Sequence, residues 1–169
     1  MSRHAIGRLG MNIAATVLIA IAVPGCARNP VSPDGTSATT SELAAETAFC
    51  TDEINRLRAT VDLPPLARSS EIEAFSVEAA RVDGETHQPH KHFVETNGGN
   101  GVSHAENELP WWRLSQWRSV HSVVRAGLSM EWAEGPGGSH YEIMTGPYGN
   151  LACGIAVRNG EVTVTQDFR

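Results

Sequence analysis

The stretch "LACGIAVRNGEVTVTQDF", Leu151 to Phe168, decides the fold. "LACGIAV" and "VTVTQDF" are short apolar and β-branched runs of the kind that strands favour, and "RNGE" parts them. Asn159-Gly160 suits a type I′ turn, whose two central residues both need positive φ. An antiparallel hairpin is therefore predicted over 151–168.

Upstream of this hairpin the periodicity is helical. Cys50, Ile54, Leu57 and Val61 fall at i, i+4, i+7 and i+11, one stripe of an amphipathic helix running from about Glu42. "DLPPL" stops it, because Pro64 and Pro65 cannot continue a helix and hold the residue before them extended. "SEIE" then offers a capping box, with Ser70 at the cap and Glu73 reaching back. Ile72, Phe75, Ala79 and Val82 make the buried stripe of a second helix. The polar stretch from Asp83 to Asn107, crowded with histidine and glycine, reads as loop with short pieces of strand. A third helix is predicted from about Leu114 to Ala133, with Trp117, His121, Val124 and Leu128 on one face. Helices first and a hairpin last indicate a layered α+β domain.

The opening residues have a different character. Arg3 and Arg8 precede "MNIAATVLIAIAV", Met11 to Val23, an apolar run too short for a comfortable membrane span and typical of a secretory signal. "VPGC", Val23 to Cys26, resembles the lipobox of bacterial lipoproteins. That resemblance implies a signal peptide over 1–25, a lipid on Cys26, and a place at the outer face of the cytoplasmic membrane. A cleaved signal with an incidental cysteine is the plainer alternative. Residues 26–41, rich in Pro, Ser, Thr and Gly, read as a disordered tether, which leaves 42–169 as one domain.

Thirteen basic and nineteen acidic residues give a net charge of −6, and removing Arg3 and Arg8 with the leader makes it −8. No basic stripe with interleaved aromatics is present, so nucleic acid is not an expected partner. Lipidation of Cys26 leaves Cys50 and Cys153, which in an exported protein form one disulfide; two inert buried thiols are the alternative.

Four segments together resemble the CAP superfamily, which includes cysteine-rich secretory proteins, venom antigen-5 proteins and plant pathogenesis-related proteins. "CTDEINRLRATVDLPPL" is similar to the family's opening helix, with Asn55, Arg56, Arg58, Leu63, Pro65 and Leu66 in the family roles and Asp62 where glycine is usual. "AEN", Ala105 to Asn107, resembles the Gly-Glu-Asn motif, and "GGSHYEIM" resembles the Gly-His-Tyr motif with Ser139 for the glycine. The C-terminal hairpin resembles the family's last one.

The resemblance implies a three-layer α-β-α sandwich with a central antiparallel sheet, and a cleft carrying two histidines and two acids. Carried over, His140 is the second histidine and Glu106 the first acid. The second acid is Glu134, with Glu131 as substitute, and the first histidine is one of His87, His90 and His92, with His92 preferred and His90 second. His92 and His140 would be metal ligands for zinc or a similar divalent ion, with carboxylates orienting them. A hydrogen-bonded polar cluster without metal is the competing reading.

Such a cleft implies a binding module for a divalent metal and for an apolar or cell-wall ligand. The alternative is a metal-dependent hydrolase that uses a metal-bound water with Glu106 as general base. Other chemistries are excluded by missing partners. "HAE" at His104 to Glu106 lacks the P-C-x-x-C of a zinc deaminase, and neither H-E-x-x-H nor G-x-S-x-G is present. Cys153 sits in an apolar strand, where a nucleophilic thiolate is disfavoured. His104 and His121 read as structural. Trp111 and Trp112 are either an exposed apolar lip or a pair packed over the cleft and third helix.

Overall fold

The computed structural model describes residues 40–169; the predicted leader, Cys26 and most of the tether lie outside them. Helix α1 (Thr40–Ala59) buries Cys50, Ile54 and Leu57 on the predicted stripe and ends before Val61, which is exposed. Side chains build its exit. Asn55 donates from Nδ2 to the Leu66 carbonyl at 3.0 Å and accepts the Leu66 N–H at 2.8 Å, pairing with backbone as a strand would. Arg58, buried, donates from Nε to the Pro64 carbonyl and from Nη1 to the carbonyls of Met144 (2.7 Å) and Gly146 (3.2 Å). Asp62 takes φ +60° in the turn between them.

Helix α2 (Ser70–Thr86) is capped one residue earlier than predicted. Ser69, in extended backbone, accepts the Ile72 N–H, while Glu73 pairs with Arg68 at 2.6 Å instead of reaching back. The buried face of α2 is Ile72, Ser76, Ala79, Ala80 and Asp83, and Phe75 lies only at its margin. The segment predicted as loop holds two elements, α3 (Lys91–Gly101), whose Asn97–Asn100 are left-handed, and strand β2 (Ala105–Arg113) once β1 (Ala67–Arg68) is counted. The strand reaches further than the pattern indicates because its polar residues Glu106, Asn107 and Glu108 are buried, so no alternation of apolar with polar announces it. The predicted third helix is also shorter. A 3-10 turn over Leu114–Gln116 precedes α4 (Val120–Ala133), capped by Ser119, and α5 (Ser139–Thr145) follows.

Strands β3 (Asn150–Arg158) and β4 (Glu161–Phe168) form the predicted hairpin, with Asn159 and Gly160 at φ +50° and +76°. The sheet order is β1-β3-β4-β2. It is mixed rather than wholly antiparallel, because the two residues of β1, extended after Pro64-Pro65, dock parallel to β3.

The two faces of the sheet differ in chemistry. Leu151, Cys153, Ile155, Val162, Val164 and Phe168 join Ile54, Leu128 and Met144 in one apolar cluster under α1, α4 and α5. There Cys50 and Cys153 are bonded, with Cα atoms 6.2 Å apart. The opposite face turns Thr163, Thr165 and Asp167 toward α2, all buried. Gly154 lets α2 close on this face, since a Cβ there would lie 2.0 Å from the Ser76 carbonyl. Helices thus flank both faces of the sheet, an α+β sandwich with one dry layer and one buried polar layer. Burying carboxyl groups costs free energy, so the polar layer marks the place to look for function.

Candidate functional site

Alternation along β2 sends Glu106 and Glu108 to the α2 side and Asn107 to the α4 side. Register with β4 sets Asp167 opposite Glu106, and Gln166 opposite Asn107. The edge strand therefore carries functional groups into both layers.

On the α2 side four acids gather around the α2–α3 loop. His90 stands at φ +57° before α3, a left-handed conformation that non-glycine residues adopt only when held. Its backbone N–H donates to Glu108 Oε2 at 2.6 Å, and its ring Nδ1 lies 2.9 Å from Glu106 Oε1. Asp83, on the last turns of α2, accepts the His92 N–H at 2.9 Å, and Asp167 accepts the Ser76 hydroxyl at 2.6 Å. The donor atoms of His90, Glu106 and Glu108 all lie within 4.8 Å of one another, close enough to hold one metal ion. Glu106 and Glu108 side chains are 1% and 0% exposed against 40% for His90, so the imidazole is the part of the group that solvent reaches.

On the α4 side Asn107 donates from Nδ2 to the His140 carbonyl at 3.1 Å, and Gln166 donates to Glu131 Oε2 at 2.6 Å. The His140 ring pairs with Glu134 at 2.5 Å, and its backbone N–H donates to the same carboxylate at 3.0 Å. Gly138 permits that pair, because a Cβ there would meet the Glu134 side chain at 2.4 Å. The Glu134 carboxyl is held below its ordinary range by the His140 hydrogen bond. The two halves are neighbours across the edge strand, since Glu106 and Asn107 are consecutive on β2 and face opposite layers.

The structure redistributes the sequence-predicted residues. His90, the second choice, replaces His92 beside Glu106; the His92 ring packs against Phe75 at 5.1 Å, because His92 begins α3 and faces α2. His140 lies outside the metal-capable group, its ring taken by Glu134, so the predicted ligand pair His92 and His140 is not brought together. Both candidate second acids have a place: Glu134 holds His140, and Glu131 is buried against Gln166. Asn107 joins the "AEN" and "GGSHYEIM" segments directly. His87 is exposed beside Glu161, and His104 is exposed. His121 pairs with Glu46 and stacks on Phe49 at 3.8 Å, a boundary residue. Trp112 is half-buried, stacked on Trp117 at 5.3 Å and packed on the core, while Trp111 sits in a bulge at φ +36° beside His87. Neither forms a free lip.

Asp83, Glu108 and Asp167 escaped the sequence reading. The one available signal was the "ENE" spacing at 106–108, which places two acids on one face only if the segment is a strand.

Burial dominates the electrostatics. It raises Glu106 to about 8, helped by the Asp83 charge, and Glu108 to about 7 against the opposing His90 N–H. Asp167 is raised to about 8 by burial and by Glu106, Asp83 is raised by burial, and Glu131 is raised to about 7 by burial. Seven buried side-chain oxygens have no hydrogen-bond partner among the described residues: Asp83 Oδ2, Glu106 Oε2, Asn107 Oδ1, Glu108 Oε1, Glu131 Oε1, Gln166 Oε1 and Asp167 Oδ1. All are acceptors. Buried acceptors require donors, so this arrangement calls for protons, water or a cation.

No protein-family model matches the chain, and a search of curated proteins finds no significant match.

Proposed function

We propose that this is an exported, lipid-anchored CAP-type binding module whose cleft holds a divalent cation at His90, Glu106 and Glu108. The observation that carries this reading is the His90–Glu106–Glu108 group itself, with donor atoms within 4.8 Å and buried oxygens left without donors. Three supports favour the CAP assignment. The flanked sheet and the order of segments agree with the family pattern, and Asp62 at φ +60° occupies the position where glycine is usual. The Asn107–His140 link joins two family motifs, as a shared cleft requires.

The ligand beyond the cation is an apolar or cell-wall molecule approaching the β2 edge, where His90, His140 and the tryptophans stand. The lipid on Cys26 and the tether would hold the domain at the outer face of the cytoplasmic membrane. Among the described residues no helix is long and apolar enough to cross a membrane.

A hydrolase with Glu106 as base to a metal-bound water is less well supported. Glu106 is already placed among the cation's own donors, beside His90.

Titration calorimetry of the purified, chelator-stripped protein with zinc, manganese, calcium and magnesium in turn tests the proposal. One cation binding at a single site, weakened at least about tenfold by Glu106→Gln, supports it. Absence of binding by all four sinks it.

A further inference from the structure

The charges of this acidic chain are unevenly placed. From Leu109 to Met130 there is no acid, although the chain has nineteen, and this segment holds Trp111, Trp112, Arg113, Trp117, Arg118 and Arg125. Its first half lies at one pole of the domain. Arg113 stands across the ladder from Glu161, and the Leu114 N–H donates to the Gly160 carbonyl of the hairpin turn at 2.8 Å. The acids nearby are occupied, Glu161 by His87 and Glu85 by Arg81 and Arg158. Arg113 and Arg118 are exposed. Trp112 and Trp117 back onto the core and, with Trp111, Arg113 and Gln116, line an open cavity of about 450 Å³.

The start of α1 is at the same pole. The helix runs antiparallel to β3: Cys50 is bonded to Cys153, and further along Asn55 holds Leu66, just before β1 meets the first residues of β3. Its first turns therefore point toward the hairpin turn, and there Glu46 pairs with His121, just past Arg118, at 3.0 Å. On the tether reading, Cys26 stands on average roughly 20 Å from Thr40, so the lipid and this basic, aromatic pole share one side of the domain.

We propose that this pole, with Arg113, Arg118, Trp112 and Trp117 at its centre, rests on anionic lipid headgroups and orients the anchored domain on the bilayer. The proposal rests on the lipid-anchor reading above. Arginine is attracted to an anionic surface, and an anchor that keeps the domain beside the bilayer lets a weak patch engage. Tryptophan with its body packed and its edge wet suits headgroup depth rather than the acyl interior. The orientation has a consequence for the candidate cation site. Glu106 lies toward the other end of β2 from Arg113, about 20 Å away at ~3.3 Å per residue. His90, Glu106 and Glu108 then stand away from the bilayer, where they meet ligands from the cell-wall side rather than membrane lipid.

The full-length lipidated protein is reconstituted into vesicles of phosphatidylcholine, alone or mixed with phosphatidylglycerol, whose acyl chains carry bromine, a contact quencher of tryptophan. Flotation reports the anchor, and quenching reports the contact. The protein is expected to float with both vesicles and to be quenched at least about twofold more strongly where phosphatidylglycerol is present. Arg113→Gln together with Arg118→Gln, both at exposed positions, should abolish that difference and leave flotation intact. Trp132→Phe, which removes the tryptophan at the far end of α4, should leave the difference in place. Flotation without selective quenching, or a difference that survives the arginine double variant, overturns the patch while the anchor stands. A difference lost in Trp132→Phe puts the opposite pole on the bilayer and overturns the orientation. Protein that floats with neither vesicle removes the anchor reading, and the patch with it.

Discussion

The buried acids make stability depend on pH in a direction opposite to that of surface ion pairs. Glu108 is the clearest case, raised by burial from 4.5 to about 7. Below about pH 4.5 its carboxyl is protonated in both folded and unfolded chains, and its contribution is fully present. As pH rises, the unfolded chain loses that proton first, while the folded state keeps it until about 7. The folded state therefore binds more protons across this window, and stability falls with rising pH. A rise from 4.5 to about 7 corresponds to about 3 kcal/mol lost by pH 8, from Glu108 alone. Glu106 and Asp167, at about 8, extend the decline through that value. Lowered carboxyls such as Glu53 beside Arg56 lose their stabilisation as pH falls below the ordinary carboxylate range, so they act outside this window.

Urea denaturation followed by tryptophan fluorescence, in chelator at half-unit steps from pH 5 to 8.5, measures the slope. With a urea dependence of roughly 1–3 kcal/mol per molar, the Glu108 component alone moves the midpoint down by about 1–3 M. Glu108→Gln removes the titration but keeps an acceptor for the His90 N–H, so its decline should be shallower by about 3 kcal/mol. Midpoints that stay level or rise across the range would refute the burial of these acids. A Glu108→Gln variant with the full wild-type slope would refute the assignment to Glu108.

Two further predictions concern the covalent features. Replacing Cys50 and Cys153 together by alanine opens a loop with a sequence separation of 103 and should cost roughly 4–5 kcal/mol in the same urea assay; a loss below about 1 kcal/mol would show that the bond does not constrain the unfolded chain as the loop-entropy model requires. Cys26→Ser should release the protein from the membrane fraction or stall its processing, and a variant that stays membrane-bound and normally processed removes the lipoprotein reading.

Much of the fold was legible because its causes are local. The α1 stripe, the proline stop and the Asn-Gly turn each depend on residues a few positions apart, and a period or a dipeptide reports them. The Cys50–Cys153 bond was expected by parity: with Cys26 set aside on the lipobox reading, the two other thiols have one pairing to make. The "AEN" and "GGSHYEIM" segments, singled out in the sequence, meet where Asn107 donates to the His140 carbonyl.

What only the tertiary structure decided depends on partners distant in sequence. The choice of His90 over His92 follows from a left-handed residue at the entrance to α3, stabilised by Glu108 on another element. The parallel docking of β1 is set by the edge of β3, which no pattern in the short run "PLAR", Pro65 to Arg68, encodes; Ala67 and Arg68 become a strand because the Gly149 and Leu151 carbonyls wait beside them. Asp83 and Asp167 read as an ordinary helix acid and an ordinary strand-end acid until register and helix docking set them in one buried layer with Glu106 and Glu108. A carboxyl group carries the same formal charge wherever it stands in a sequence. Its desolvation, its anchors and its neighbours are set by the packing of other segments against it, and these are what turn acids into a site.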